Sequence, residues 1–443
     1  MTLPTLASVA LLLMAGHADA ENLSNIYSLA EMNDPQFRGA RAKYMADSEG
    51  SYQAWGAMLP QINGSMHQTS TNSDVTPAGG STSNLEYDTS GYTLSLTQTI
   101  YNHAKFAQIS QASAVSAQAQ AQYHHAEQEL ILRAAERYFD VLAAQDNLAF
   151  TRAEKKSIAH QLKQTQQRFN VGLTAITDVH EAKARYDQSV AQDIAAENQL
   201  AISREVLREM TGKDHPQLDS LREDTPLLQP NPADIGKWVK TALTNNYLLL
   251  AARQAMEASS AGISKARAGH YPSLDLVAQK TYLDDEGSAL GKREQEDTTV
   301  SLQLSMSLFS GGAVMSRSRE ASYRHMQSKE GLEQTRRATE RQARNAYLSV
   351  QANISQVRAL KQALASSNTA LKATTAGFKV GTRTTVDVLD SQRDLFRAKL
   401  NYALARYKYI METLRLKQAA GTLSKQDLLA INNWLSANQS SEI

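Results

Sequence analysis

Cysteine is absent from this chain of 443 residues. Its absence excludes disulfide bonds, thiolate metal sites, cysteine nucleophiles and a lipid anchor on an N-terminal cysteine. Aromatic residues are also scarce, at 6% of the chain, whereas alanine, glutamine, serine and leucine are abundant. Such a composition is typical of long helices that pack closely through small side chains, and not of an aromatic-rich globular core.

An excess of either charge is missing too, because 46 basic residues face 45 acidic ones. A surface for nucleic acid or for an anionic membrane is therefore not indicated. The chain carries no Walker A motif and no Gly-x-Ser-x-Gly motif, and no set of His, Ser and Asp stands out. We therefore predict a protein that is not an enzyme, needs no cofactor and takes its energy from a partner.

Two short clusters could suggest metal binding, but neither has the required pattern. His124 and His125 are followed by Ala126 and Glu127, which is not the HExxH zinc motif. The acidic stretch 284–286 lacks the spacing and the glycine of an EF-hand. The sequence therefore predicts no metal site.

Long hydrophobic runs are missing as well. No window holds 18 consecutive apolar residues, so no transmembrane helix is predicted. Residues 1–20 contain a shorter apolar stretch that ends in Ala18, Asp19 and Ala20, which indicates a secretory signal cleaved after Ala20 despite the lack of a preceding Lys or Arg. The alternative is a buried N-terminal helix. Cleavage would leave 46 basic residues against 44 acidic ones.

The sequence contains an internal repeat. VGLTAITDVHEAK at residues 171–183 is followed 209 positions later by VGTRTTVDVLDSQ at residues 380–392. Around these stretches, Gly172–Gly212 aligns with Gly381–Gly421 without a gap. Because identity outside a few landmarks is low, the aligned glycines and the shared Phe, Asp and Val positions carry the alignment.

Further matches extend the repeat upstream, where residues 33–60 align with 245–272. Each repeat is predicted to run helix, strand pair, long helix, break and helix. We therefore predict a single duplicated unit with these parts: repeat 1 at about 21–212, repeat 2 at about 233–421, and a C-terminal tail at 422–443.

Alternation with a period of two predicts the strand pairs. The alternating apolar residues are Tyr92, Leu94, Leu96 and Ile100 in the first repeat, and Leu302, Leu304, Met306 and Leu308 in the second. The expected partner strands are 61–70 and 273–282. The resulting β-barrel hairpins are expected at about 60–101 and 272–309, and their solvated loops at about 71–90 and 283–297. One apolar face and one polar face fit a half-buried soluble sheet as well as a lipid-facing sheet around water.

The helices are predicted to be unusually long. Neither proline nor glycine interrupts Ala104–Arg168, which predicts roughly 100 Å of helix. Two adjacent apolar stripes follow it: Leu130, Ala134, Val141, Ala144 and Leu148, and Ile131, Ala135, Tyr138, Leu142 and Ala149. A similar seam in the last long helix comprises Val386, Leu389, Phe396, Leu400, Ala403, Tyr407, Ile410 and Leu414. Adjacent stripes predict neighbours on both sides, as in the wall of a helical cylinder.

Four stretches together resemble the TolC family of outer-membrane channel-tunnels. They are RFNVGLTAITDVHEAKARYD (168–187), VGTRTTVDVLDSQRDLFRAKL (380–400), LFSGG (308–312) and GTLSKQDLLAINNWL (421–435). The resemblance implies a mainly α protein with a β-barrel part. Three copies would form a twelve-stranded barrel in the outer membrane on a long α-helical tunnel that extends into the periplasm.

The same resemblance implies a function. A homotrimer would be the exit duct for type I protein secretion, multidrug efflux or both, in contact with outer-membrane lipid. An inner-membrane ABC or proton-driven transporter would supply energy through a periplasmic adaptor protein. The missing cysteine and the C-terminal tail favour the type I secretion branch. The alternatives are a periplasmic adaptor, which should have lipoyl-like segments around a single hairpin, and a structural coiled-coil protein without a pore.

The resemblance also implies residue roles. Asp387 and Asp390 correspond to the acidic constriction of the pore, where a trimer would present six carboxylates. Without the resemblance, capping of a helix N-terminus would explain both residues.

The resemblance further implies a gate latch, a name we use for Arg383, Thr177, Asp178 and Phe378. Arg383 corresponds to an arginine that ties the inner turn, here 380–384, to a neighbour. Its acceptors would be Thr177 and Asp178, which lie just after the outer turn at 171–175. Phe378 stands where the family often has tyrosine, so a hydroxyl is missing. Either the closed state is looser here, or Lys379 takes part in the linking.

Overall fold

The computed structural model describes residues 21–288 and 291–436. The predicted signal sequence and the end of the predicted tail lie outside these residues. In chain order the elements are α1 (Leu23–Asn33), α2 (Pro35–Gly56), β1 (Gln61–Val75), β2 (Ser83–Asn102), α3 (His103–Asn170), α4 (Ile176–Thr211), β3 (Ser220–Leu221), α5 (Ile235–Asn245), α6 (Tyr247–Arg267), β4 (Ser273–Ser288), β5 (Gly291–Ser305), α7 (Ala313–Lys379), α8 (Thr385–Ala419), α9 (Lys425–Asn432) and β6 (Leu435–Ser436). The expectation of a mainly helical chain with a β part is confirmed.

The two longest helices have 68 residues in α3 and 67 in α7. The Asn102 side chain accepts the backbone N–H groups of Ala104 and Lys105, at 3.0 and 3.3 Å, and so caps the start of α3. The predicted uninterrupted helix is confirmed, with an axial length of roughly 100 Å. Within the described ranges, none of the helices combines the length and the apolarity that crossing a membrane requires.

The long strands form one antiparallel sheet in the order β1-β2-β4-β5. The two hairpins therefore join through β2 and β4. The prediction of loops at 71–90 and 283–297 is wrong for most of those residues, because the strands reach Val75 and Ser83 in one hairpin and Ser288 and Gly291 in the other. Ladder hydrogen bonds join backbone groups, so polar Ser, Asn and Asp segments continue a ladder once register is set.

The ends of the second hairpin also differ from expectation. Met306 and Leu308 lie beyond β5, which ends at Ser305. The glycines that follow, Gly311 and Gly312, have φ values of +58° and +80°. Since this left-handed backbone is accessible to glycine with little strain, the chain turns here from strand to helix and α7 begins at the next residue.

A polar cluster joins the sheet to the helix that follows it. The register of β2 against β4 shifts between Thr99 and Tyr101. Next to the shift, the Lys105 ammonium donates to Thr99 Oγ1 at 2.7 Å and to the Ala57 carbonyl at 2.8 Å, and the Thr99 hydroxyl donates to Asp275 Oδ1 at 2.8 Å. The irregular strand end is therefore held by hydrogen bonds to charged groups, which are stronger than neutral ones.

Contacts divide the chain into two compact units, and each takes parts of both repeats. Among the described residues, one unit comprises 21–38, 127–242 and 342–436; the other comprises 39–126, 243–288 and 291–341. The four-stranded sheet belongs to the second unit. The turns between α3 and α4 and between α7 and α8 belong to the first.

The core of the first unit follows the predicted stripes. Nine of the ten stripe residues of α3 are buried, and Ala149 is the exposed one. On α8 the buried members of the predicted seam are Leu389, Ala403, Tyr407, Ile410 and Leu414. The Tyr407 hydroxyl donates to Asp146 Oδ2 of α3 at 2.7 Å, so a part-buried polar link joins the two helices. Burial of both stripes confirms that α3 has neighbours on two sides.

Candidate functional site

The candidate site consists of the two interhelical turns, 171–175 and 380–384. In the first, the Gly172 N–H donates to the Phe169 carbonyl at 2.9 Å, and the Leu173 N–H donates to the Arg168 carbonyl at 2.8 Å. Gly172 has φ +76°. This pair of bonds is the Schellman motif, in which a glycine in the left-handed region ends the helix.

The second turn has the same geometry. The Gly381 N–H donates to the Phe378 carbonyl at 3.2 Å, the Thr382 N–H donates to the Gly377 carbonyl at 2.9 Å, and φ of Gly381 is +81°. A Cβ on either Gly172 or Gly381 would meet no atom within 4 Å. Backbone conformation, and not lack of space, therefore explains glycine at both positions.

The two turns differ in how the next helix begins. At α8, Thr384 and Asp387 form a capping box: the Thr384 N–H donates to Asp387 Oδ2 at 2.8 Å, and the Asp387 N–H donates to Thr384 Oγ1 at 3.2 Å. At α4 the N-cap is Ala175, and Asp178 accepts instead from the Thr174 hydroxyl. The turn at 380–384 therefore leads into the more completely capped helix.

Asp387 consequently has a structural role within its own chain. The backbone hydrogen bond from Thr384 is the largest cause that lowers the pKa of Asp387 below its usual value; the Thr384 hydroxyl adds to it, and the nearby Arg383 charge acts in the same direction. Since these groups favour the ionised carboxyl, Asp387 carries a negative charge at neutral pH.

Asp390 has different partners. Its Oδ1 lies 3.2 Å from Arg185 Nη2 of α4 and 3.4 Å from Arg393 Nη2 of α8. Within one chain the two aspartates therefore do not form a common cluster, although they are three residues apart. Asp387 holds the start of its own helix, and Asp390 connects α8 to α4. Sequence reasoning missed Arg185, which is 205 positions away from Asp390.

The predicted latch residues are not joined within one chain. In the described residues Arg383 makes no hydrogen bond or ion pair to Thr177 or Asp178, and it is exposed. Its stem folds over Gly377, where a Cβ would lie only 2.8 Å from Arg383 Cγ. A link from Arg383 to Thr177 or Asp178 would therefore have to reach a neighbouring copy, or form only after rearrangement.

Phe378 contacts a residue that sequence reasoning did not single out. The guanidinium carbon of Arg168 lies 4.8 Å from the centre of the Phe378 ring. Arg168 stands in the last turn of α3, and Phe378 in the last turn of α7. One signal was present in the sequence: an arginine directly before the first turn, at the position where the second repeat has Gly377.

The packing behind the turns combines a small apolar cluster with unsatisfied polar groups. Ile158, Ala182 and Leu389 are buried together. Along α3 nearby, three buried side-chain atoms lack a hydrogen-bond partner in the described structure: Gln161 Nε2, Thr165 Oγ1 and Arg168 Nε. Buried polar atoms usually have a hydrogen-bond partner, so these three atoms mark a polar strip on α3 beside the apolar cluster.

Comparison with known proteins identifies the family. The sequence model described as outer membrane efflux protein matches residues 26–213 and 238–422. TolC of Vibrio cholerae is 38% identical over 436 residues, covering 98% of each chain. TolC of Escherichia coli K12 is 36% identical, covering 98% of this chain and 89% of that protein. The alkaline protease secretion protein AprF of Pseudomonas aeruginosa is 30% identical, covering 96% of this chain and 90% of that protein.

Solved structures share the fold. The structure of CusC superposes with a TM-score of 0.79 at 18% identity, covering 91% of this chain and 92% of that chain. The structure of VceC from Vibrio cholerae superposes with a TM-score of 0.75 at 19% identity, covering 90% of this chain and 96% of that chain. The chain therefore belongs to the outer membrane efflux protein family, and it is an outer-membrane transport protein and not an enzyme.

Proposed function

We propose that three copies of this chain form a gated exit duct through the outer membrane. The duct serves type I protein secretion, multidrug efflux or both, and an inner-membrane ABC or proton-driven transporter drives it through a periplasmic adaptor. The observation that carries the proposal is likeness over nearly the whole chain both to the TolC proteins and to AprF, which is named for protease secretion.

The sheet supports the trimer because both of its edges are open. β1 and β5 lie at the two ends of the strand order, and each has 15 residues. An open edge of this length presents unpaired backbone N–H and C=O groups, which invite another strand. Pairing β5 of one copy with β1 of the next, three times, gives twelve strands without an edge.

The two faces of β5 are both exposed but differ in polarity, which supports contact with lipid on one face and with water on the other. Val300, Leu302 and Leu304 are exposed on one face, and the alternating Ser301 and Gln303 are exposed on the other. A half-buried soluble sheet would cover its apolar face. In the duct, the apolar face meets outer-membrane lipid and the polar face meets water.

The gate is proposed at the inner turns. Around the threefold axis Asp387 and Asp390 supply six carboxylates to a narrow opening, where a ring of like charges favours cations. Arg383 forms the latch with Thr177 and Asp178 of an adjacent copy. It is exposed, and within the described chain it makes no hydrogen bond or ion pair to Thr177 or Asp178, so its guanidinium is available for that contact.

Cysteine crosslinking tests the assembly cleanly, because the natural chain contains none. Ser301→Cys on β5 is combined with Asn63→Cys or Ser65→Cys on β1, and oxidation is expected to give crosslinked dimers and trimers. The matched control is Ser95→Cys with Gln279→Cys, which face each other across β2 and β4 and should crosslink within one chain.

Channel recording and export assays complete the test. Detergent-purified protein should insert into planar bilayers as a discrete conductance, and deletion of the gene should abolish export of a partner's substrate or sensitise cells to hydrophobic drugs. A monomeric protein that forms no pore would contradict the proposal and favour a structural coiled-coil role. The relatives give no support to the adaptor alternative.

A further inference from the structure

We propose that Arg168 and Phe378 form a cation–π contact that joins the two interhelical turns of each protomer and opposes opening of the gate. The inference rests on the proposed function, since it assigns a second positioning contact to that gate. Nothing in the comparisons with relatives assigns a role to Arg168.

The distance between the two groups fits a cation–π contact. The Arg168 guanidinium carbon lies 4.8 Å from the Phe378 ring centre, within the roughly 6 Å over which a cation is attracted to a ring face. Arg168 Nε is buried and has no hydrogen-bond partner in the described structure. No acceptor at Nε therefore holds the guanidinium, and its contact in the described residues is the one with the Phe378 ring.

Comparing the two repeats shows that the contact is specific to one turn. By the 209-residue offset, Phe378 corresponds to Phe169, and Gly377 corresponds to Arg168. Phe378 is 8% exposed, whereas Phe169 is 39% exposed. The two equivalent phenylalanines therefore have different surroundings, and the buried one, Phe378, contacts the Arg168 guanidinium.

The glycine at the corresponding position has its own consequence. Since Gly377 carries no side chain, the stem of Arg383 folds across it. Arg168, before the first turn, thus contacts the Phe378 ring of the other helix pair. Gly377, before the second turn, leaves room for Arg383. The difference between Arg168 in the first repeat and Gly377 in the second therefore permits both the Arg168–Phe378 contact and the position of Arg383.

Both partners are themselves fixed by their turns. The Arg168 carbonyl accepts the Leu173 N–H, and the Phe378 carbonyl accepts the Gly381 N–H. Moving α7 and α8 away from α3 and α4 must therefore separate the guanidinium from the ring. The position of Arg168 at the C-terminal end of α3 also favours its positive charge.

The contact changes the interpretation of phenylalanine at residue 378. A hydroxyl is not needed where the ring face itself binds a cation, so the absence of tyrosine does not by itself make the closed state looser. A cation–π contact on a buried ring is also screened less by salt than a partly exposed ion pair such as Arg185 with Asp390.

The test is a double-mutant cycle on the full trimer in planar bilayers. Arg168→Met keeps the length of the side chain and removes its charge, and Phe378→Leu keeps apolar volume and removes the ring. Each is expected to raise the open probability severalfold, and the double variant no further than the stronger single one. Phe378→Tyr keeps the ring face and should stay close to the wild type.

Two controls separate this contact from a merely structural effect. Phe169→Leu removes the equivalent ring of the other turn and should leave the open probability unchanged. Arg168→Lys keeps the charge without the planar group and should fall between wild type and Arg168→Met. Additive single effects, or an equal response to Phe169→Leu, would overturn the proposal.

Hydrogen exchange provides a readout that does not depend on a pore. Arg168→Met should increase amide exchange at 380–384, which lies in the other turn, and Phe169→Leu should not. If the wild type forms no channel, the proposed function fails while exchange still decides the contact. Unchanged protection of 380–384 in Arg168→Met refutes the link in either case.

Discussion

Asp390 Oδ1 of α8 lies 3.2 Å from Arg185 Nη2 of α4, so one of the two proposed constriction carboxylates is bound by a cation of the other helix pair. The pair is partly exposed, with 32% and 39% of the two side chains accessible. Such a pair contributes only about 0–1 kcal/mol. Repeated three times in an assembly, it is nevertheless placed to bias a gate between two states.

Arg185→Gln is therefore expected to favour the open state modestly, because it removes the cation that connects α4 to α8. Arg393→Gln is the matched control, since Arg393 contacts the same Asp390 oxygen from within α8. Single-channel recordings should show higher open probability for Arg185→Gln than for Arg393→Gln. The difference should shrink as ionic strength rises, because salt screens exposed pairs. Equal responses of the two variants would exclude a bridging role for Arg185.

Asp387 and Asp390 are expected to bind multivalent cations that block the channel from the periplasmic side. Asp387→Asn with Asp390→Asn should weaken that block, and the amide at 387 can still accept the Thr384 N–H and keep the cap. In contrast, Asp387→Ala also removes the acceptor for the Thr384 N–H, which is one of the two hydrogen bonds of the capping box. Unchanged block in the double Asn variant would place the constriction elsewhere.

The pH dependence of the block follows from the lowered pKa of Asp387. A carboxyl whose pKa is lowered on folding remains charged to a lower pH than usual, and its stabilising contribution is present above the unfolded value of 3.8 and is lost as pH falls through the folded value. The share of the cation block that Asp387 supplies should therefore persist to a lower pH than an aspartate of ordinary pKa would allow. Titrating the block in single-channel recordings checks this.

Gly377→Ala tests how Arg383 is positioned. The new Cβ would lie 2.8 Å from Arg383 Cγ and 3.1 Å from Thr382 Oγ1, so the stem of the arginine must move. We expect higher conductance, in the same direction as Arg383→Ser, which removes the guanidinium altogether. Gly331→Ala is the control, because its Cβ meets nothing within 4 Å in the middle of α7, and it should stabilise by about 0.4–1 kcal/mol. Unchanged conductance in both Gly377→Ala and Arg383→Ser would show that Arg383 does not hold the gate.

Local signals in the sequence predicted the framework, whereas contacts between distant residues escaped prediction. The uninterrupted run from Ala104 gives α3, and glycines 172 and 381 give the turns, because each depends on neighbouring residues alone. Arg185, which pairs with Asp390 from α4, and Arg168, which contacts Phe378, each stand more than 200 positions away from their partner, and no periodicity encodes them. Strand ends were misplaced for a related reason: a polar segment extends a ladder when its partner strand is in register.

Asp146 and Tyr407 link α3 to α8 through a part-buried hydrogen bond. Burial is the largest cause that raises the pKa of Asp146 above its usual value, although the Tyr407 hydroxyl and the Arg406 charge act against it. A group whose pKa is raised on folding binds more protons in the folded state. Its charged form therefore lowers stability as pH rises from its unfolded value of 3.8 through the folded one.

Asp146→Asn removes this pH dependence and leaves an acceptor for the Tyr407 hydroxyl, which donates to residue 146 at 2.7 Å. We expect the free energy of unfolding of Asp146→Asn to equal or exceed that of the wild type at pH 7, with the advantage lost near pH 4. Tyr407→Phe should act oppositely at pH 7, because it leaves a buried carboxylate without its donor, at a cost of about 1–3 kcal/mol. Thermal unfolding of the purified protein between pH 4 and 8 measures both variants. If Asp146→Asn is the less stable variant at pH 7, the ionised carboxylate stabilises the core and the sign of this argument is wrong.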